Sequence, residues 1–297
     1  MEPIFRSKVG RKNNKLIIRC TIAERKEMKI LFQYCAKGDG KRNEDVIGQR
    51  GEYIWVIDGA TDVFKSSHIK AEAEVYWYVH KLNSLLTELV PFEYSPYDLI
   101  SKAVDMLYGE ICKKNTIIDS VDEFELPTFA IALLKASNNT AEYYILGDCY
   151  VSYIHNGKYN TITDNRIEEF VYYNRTQLRR KGLDPRKDPE ANEIYKETRK
   201  KANTEKGYYI GSVRGTGLKH GLRGTIALSQ DEKIALFSDG FYDYFSNNPI
   251  EAFSLFNEND YESFIKRMDE YLQDESNFVK DLRPKQVDDR SLIIASF

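Results

Sequence analysis

Cysteine is scarce in this 297-residue chain: Cys20, Cys35, Cys112 and Cys149 lie singly and far apart, with no C-x-x-C pair. That spacing excludes a disulfide framework or a thiolate zinc site, and the four read as reduced, mostly buried thiols. Long apolar runs are missing as well, since no stretch approaches the ~20 residues needed to span a bilayer. The start, Met1-Glu2-Pro3-Ile4-Phe5-Arg6, lacks the apolar core of a signal peptide, so a cytoplasmic location with no membrane partner is expected. Positive charge is not in excess either: a formal net charge of -3 gives no general pull toward nucleic acid. Internal repeats and low-complexity tracts are absent.

The chain does have the ordinary makeup of a soluble globular protein, 42% hydrophobic and 30% charged. Its length suits one large domain or two small ones with a sizeable core. The 21 tyrosines and 15 phenylalanines are spread along the chain as packing residues would be.

Read in order, Leu16–Ile22 and Ile30–Tyr34 have strand character, with Glu24-Arg25-Lys26-Glu27 between them as a turn or helical stub. A polar, glycine-rich segment from Lys37 to Asp45 follows, then the buried-strand run Tyr53-Ile54-Trp55-Val56-Ile57, which stops on Asp58-Gly59. The period then becomes helical, with Ile69, Tyr76, Val79, Leu82, Leu86 and Leu89 near one face and Pro91 ending the run. Ser95-Pro96 opens a second helix that turns Ile100, Val104, Leu107, Tyr108 and Ile111 inward. Short strands return from Thr128 to Thr163, with Asn156-Gly157 as a hairpin signal. Residues 164–206 are charged and helix-prone, a flap-like insertion. Strands at Thr225–Leu228 and Lys233–Phe237, two helices around Asn248–Phe256 and Tyr261–Leu272, and a last strand Leu292–Ala295 complete the chain. Paired helices around antiparallel strands predict an α+β fold, with helices outside two packed sheets.

A lone Asp-Gly after a strand is an ordinary turn. Here apolar runs deliver an aspartate beside a glycine at Asp58-Gly59, Gly147-Asp148 and Asp239-Gly240, while Glu44-Asp45 and Asp288 precede strands. If those ends converge, several carboxylates share a small volume, and like charges about 4 Å apart repel by roughly 1 to 4 kcal/mol per pair in wet surroundings. Cations would relieve that repulsion. Hard oxygen donors without Cys or His favour Mg²⁺ or Mn²⁺ over Zn²⁺.

Arg42-Asn43-Glu44-Asp45, Val56-Ile57-Asp58-Gly59, Leu146-Gly147-Asp148, Phe237-Ser238-Asp239-Gly240 and Asp288-Asp289-Arg290-Ser291, in that order, resemble the motifs of the metal-dependent serine/threonine protein phosphatases, the PPM or type 2C class, in its compact bacterial form. The resemblance implies a single catalytic domain over 1–297, built as a four-layer α-β-β-α sandwich of two mainly antiparallel sheets. It implies that Asp58 bridges two Mn²⁺ or Mg²⁺ ions and that Gly59 offers its carbonyl to the second. Asp239 and Asp288 complete the first ion's ligands, Glu44 or Asp45 holds the second, and Asp148 with Asp239 takes a third, weaker one. Asp58 and Asp239 are thus the catalytic pair. A hydroxide held between the metals would attack phosphoserine or phosphothreonine without a covalent intermediate, in keeping with the lack of a C-x5-R loop. Many relatives place a phosphate-binding arginine where this chain has Gly40, which leaves Lys41 or Arg42 to grip the phosphate; Ala60 stands where many eukaryotic members have a histidine. A phosphoprotein substrate and a cognate Ser/Thr kinase are the implied partners. A silent regulatory module that binds phosphoproteins, or a hydrolase of a small phosphorylated metabolite, are the alternatives.

Overall fold

The computed structural model describes residues 5–12, 15–22, 28–69, 71–137, 139–229, 232–258, 260–278 and 282–296. In chain order these form β1 (Phe5–Lys12), β2 (Lys15–Ile22), β3 (Lys29–Ala36), β4 (Asp45–Arg50) and β5 (Tyr53–Ala60), then α1 (Glu74–Leu89) and α2 (Pro96–Lys114). A meander follows of β6 (Thr128–Ser137), β7 (Thr140–Leu146), β8 (Tyr150–His155) and β9 (Lys158–Thr163), leading into α3 (Glu168–Lys181) and α4 (Ala191–Arg199). Last come β10 (Gly211–Ser212), β11 (Leu222–Ala227), β12 (Lys233–Phe237), α5 (Asp239–Asn247), α6 (Pro249–Ser254), α7 (Tyr261–Gln273) and β13 (Arg290–Ser296). The expected turn or stub at residues 24–27 lies outside the described residues. Among the described residues, no helix is long and apolar enough to cross a membrane.

Period-2 alternation along β5 explains the layering. Tyr53, Trp55 and Ile57 point to one side, where they pack with Val79, Leu82 and Leu86 of α1 and Leu99 and Val104 of α2. Ile54 and Val56 point to the other, against Val151, Leu236 and Ile293 of the second sheet. That sheet turns Ala235, Phe237 and Leu292 outward onto Phe241 and Phe245 of α5 and Phe264 and Met268 of α7. The result is an α-β-β-α sandwich. One sheet runs β11-β7-β6-β5-β4 with β10 beside β6, the other β3-β13-β12-β8-β9, all through antiparallel pairs. The hairpin β1-β2 forms a separate sheet.

Local chemistry sets the boundaries. Ser95 caps α2 by accepting the N–H of Asp98, with Pro96 in the first turn. Asn156 and Gly157 both have positive φ, as a tight twisted hairpin requires. One expectation needs correction and one element is new. The inner face of α1 carries Val75 and Tyr78 rather than Tyr76, and Ile69 precedes the helix. The stretch after β12, unassigned from sequence, is a further helix, α5, which begins on Asp239 itself. Asp-Gly reads as a turn only while its neighbours are ignored; here Ser238 ends the strand in extended geometry and the helix starts at once.

Leu236, fully buried between the sheets, should cost about 2–5 kcal/mol when cut to alanine, whereas Ser95→Ala should cost about 1 kcal/mol through its lost cap. Urea unfolding of both variants checks this, and near-equal losses would contradict the packing described.

Candidate metal centre

Asp58 continues the even-numbered face of β5, beyond Ile54 and Val56, so its carboxylate ends the apolar layer between the sheets. Its register partners are Asp45 on β4 and Ala130 on β6. Gly59 follows because nothing larger fits: a Cβ there would stand 2.7 Å from Val75 Cγ1 and 2.8 Å from the carbonyl oxygen of Glu44. Instead its N–H donates to that oxygen at 3.1 Å, tying the loop before β4 to the end of β5.

The other carboxylates arrive from separate connections. Asp148 follows Gly147, whose φ of 76° makes the sharp exit from β7. Asp239 occupies the first turn of α5, where the helix dipole favours a negative charge. Asp288 lies two residues before β13. Asp58, Gly59, Asp148, Asp239, Asp243 and Asp288 all line one cavity of about 690 Å³. Burial foremost, then mutual repulsion, pushes the Asp58 and Asp239 carboxyls well above the usual carboxylate range and Asp148 up to about 6.

Glu44 and Asp45 sit behind this floor. Asp45 is 2% exposed and accepts a hydrogen bond from Ser238 Oγ at 2.6 Å, and Ser238 Oγ accepts the N–H of Ser291 at 2.9 Å. One carboxylate thereby joins both sheets at their rims. Burial first, with nearby acids, raises Glu44 and Asp45 to about 7. Asp289 is used differently, since its two oxygens accept the N–H groups of Gly38 and Glu44 at 2.7 and 2.8 Å and so hold the loop that carries Glu44.

The roof of the cavity comes from residues 164–206. Asn192 Nδ2 donates to the carbonyl of Val63 at 2.9 Å, and Arg199 donates to Thr128 Oγ1 at 2.9 Å and to the carbonyl of Thr61 at 3.0 Å. These bonds lay α3 and α4 over the strand ends. The roof brings Arg175 and Arg199 to the cavity, and the segment before β13 adds Arg283 and Lys285. Lys41 and Arg42 are not brought there. Arg42 pairs with Glu72 and lies over the ring of Tyr76, 5.1 Å from its centroid, because acceptors for its guanidinium lie on that outer side. His68 is also elsewhere, 2.9 Å from Glu125. Sequence reasoning missed Arg199, Arg283 and Lys285, since their spacing shows no period and their partners are distant in the chain.

The lining suits hard divalent cations: among the described lining residues there are several carboxylates and no His or Cys. Among the described residues, no group of three or more His, Cys, Asp or Glu side chains stands close enough together to hold a metal ion. Asp58, Asp148, Asp239, Asp243 and Asp288 share the wall of one cavity, and an ion there would draw their carboxylates closer against their mutual repulsion.

A profile described as Protein phosphatase 2C matches residues 36–285. Several solved structures share the fold. PppA of Pseudomonas aeruginosa, a key regulatory component of T6SS, is 13% identical with a TM-score of 0.55, over 92% of this chain and 99% of that one. The S. agalactiae serine/threonine phosphatase is 16% identical with a TM-score of 0.52, over 91% and 99% of the two chains. Stp1 of Staphylococcus aureus is also 16% identical at a TM-score of 0.52, over 91% and 94%. No curated protein sequence matches the chain.

The raised carboxyls make stability depend on pH. Unfolded carboxyls ionise near pH ~4, whereas Asp148 is held at about 6 and Glu44 and Asp45 at about 7. Their contribution is therefore full below the unfolded value and is lost as pH rises through 6 to 7. In EDTA the melting temperature should fall between pH 5 and pH 8, and Mn²⁺, which binds the ionised forms, should offset the fall. A melting temperature in EDTA that is flat or rising across this window would contradict the assignment.

Proposed function

Because the chain belongs to the protein phosphatase 2C family, we propose that it is a Mn²⁺- or Mg²⁺-dependent phosphatase that hydrolyses phosphoserine and phosphothreonine in protein substrates. The observation that carries this reading is the convergence of Asp58, Asp148, Asp239 and Asp288 on one cavity under a basic roof. Bound divalent ions would supply the acidity that activates water and the charge that steadies phosphoryl oxygens.

The residues divide that work by position. Asp58, whose carboxyl feels Asp45, Asp148, Asp239 and Asp288 together, is the one to be shared between two ions. Asp239 and Asp288 would hold the first with it, and Asp148 with Asp239 would offer a third, weaker position. Asp45 is committed to Ser238 Oγ, which leaves Glu44 and the carbonyl of Gly59 for the second ion. Arg199 is the better-placed phosphate ligand than Lys41 or Arg42, because two acceptors fix its guanidinium at the cavity wall, which Lys41 and Arg42 do not line. A cognate Ser/Thr kinase, supplying the phosphoprotein, is the partner this activity calls for, and the cytoplasm is its proposed location.

The test is turnover of p-nitrophenyl phosphate and a phosphothreonine peptide in Mn²⁺, with and without EDTA, by the wild type and by Asp58→Ala and Asp239→Ala. EDTA should abolish turnover, and each substitution should lower kcat/KM by about 100-fold or more, since even residues that only orient metal ligands are worth 10–100-fold. Activity that survives EDTA or Asp239→Ala sinks the metal reading. Mn²⁺ binding without any turnover would instead favour a phosphoprotein-binding module.

A further inference from the structure

Lys285 differs from Arg199 and Arg283, which also line the cavity, in where its charge is directed. Arg283 pairs with Asp243 at 2.8 Å, and Arg199 is held by a hydroxyl and a carbonyl. Lys285 instead sends its ammonium into the carboxylate floor, where Nζ donates to Asp288 Oδ1 at 2.7 Å with the side chain only 18% exposed. Asp288, Asp289 and Glu44 are the acids whose fields act on it. Asp288, the acid Lys285 touches, acts on it most strongly, ahead of Asp289 and Glu44.

The backbone beyond Lys285 is fixed by hydrogen bonds to a second loop. Asp39 Oδ2 accepts the N–H groups of Gln286 and Val287 at 2.9 and 3.1 Å, and the N–H of Asp39 donates to the carbonyl of Val287 at 2.9 Å. Gly38 lies so close that a Cβ would meet the Val287 carbonyl oxygen at 2.2 Å. Asp288 is therefore held in place by its neighbours, whereas the flexible four-carbon stem of Lys285 can swing its charge in or out. Asp288 Oδ1 accepts both this ammonium and the N–H of Asp289 at 2.9 Å, and a divalent ion drawn to the same carboxylate is repelled by the ammonium already there.

We propose that the Lys285 ammonium is a built-in competitor for divalent metal at Asp288: it neutralises that end of the site in the metal-free protein and is displaced when an ion binds. This rests on the metal-dependent reading of the cavity, and it gives the apparent metal affinity a component set by one lysine.

Calorimetric titration of EDTA-stripped protein with Mn²⁺ tests it. Lys285→Met should bind Mn²⁺ about tenfold or more tightly than the wild type, and its melting temperature should rise further on saturation with Mn²⁺. Equal or weaker Mn²⁺ binding by folded Lys285→Met overturns the competition, while the metal reading stands as long as the wild type binds. Absence of Mn²⁺ binding by both proteins overturns both. A second measurement needs no variant: reductive methylation of the wild type, read by mass spectrometry, should label Lys285 several-fold faster in saturating Mn²⁺ than in EDTA. Labelling that is unchanged or slower with Mn²⁺ overturns the proposal.

Discussion

The site depends on one constraint: an apolar layer between two sheets ends on carboxylates that water cannot fully solvate. Ile54 and Val56 lie within that layer and Asp58 comes next on the same face. Ionising such a group costs free energy unless positive charge or hydrogen-bond donors answer it. The fold answers each acid differently. Asp45 receives Ser238, Asp289 receives two backbone N–H groups, and Asp288 receives Lys285. Asp239 has the first turn of a helix. Asp58, like Asp239, is raised by burial and by four neighbouring aspartates, and an added cation would relieve both.

Much of this arrangement is legible in the sequence alone. The alternation in Tyr53–Ile57, the Ser95-Pro96 cap and the Asn156-Gly157 hairpin are local signals, because the residues that make them also satisfy them. The acidic set is legible for a related reason: each member stands at the boundary of an apolar run, and a sheet sandwich brings such boundaries to its rims. Convergence of Asp58, Asp148, Asp239 and Asp288 follows from that topology.

What sequence reasoning misses is decided by contacts between distant segments. Arg42 looks suited to a phosphate by proximity in the chain, yet Glu72 and Tyr76 take its guanidinium. Arg199 lies in a stretch without period, and only its bonds to Thr61 and Thr128 bring it to the cavity. Helix α5 is obscured by Asp239-Gly240, a dipeptide equally at home in a turn. In that helix Gly240 lets the chain pass where a Cβ would stand 2.1 Å from the Asp289 carbonyl oxygen, so the glycine serves close packing between α5 and the approach to β13.

The central claim is that Asp58 is the carboxylate around which cations assemble. Anomalous diffraction at the manganese edge, from crystals grown in Mn²⁺, tests it most directly. The account predicts two strong peaks in the cavity, both within coordination distance of Asp58 and one of them also bound by Asp239 and Asp288. Peaks confined to sites that exclude Asp58, or a cavity with no manganese at all in saturating Mn²⁺, would contradict it.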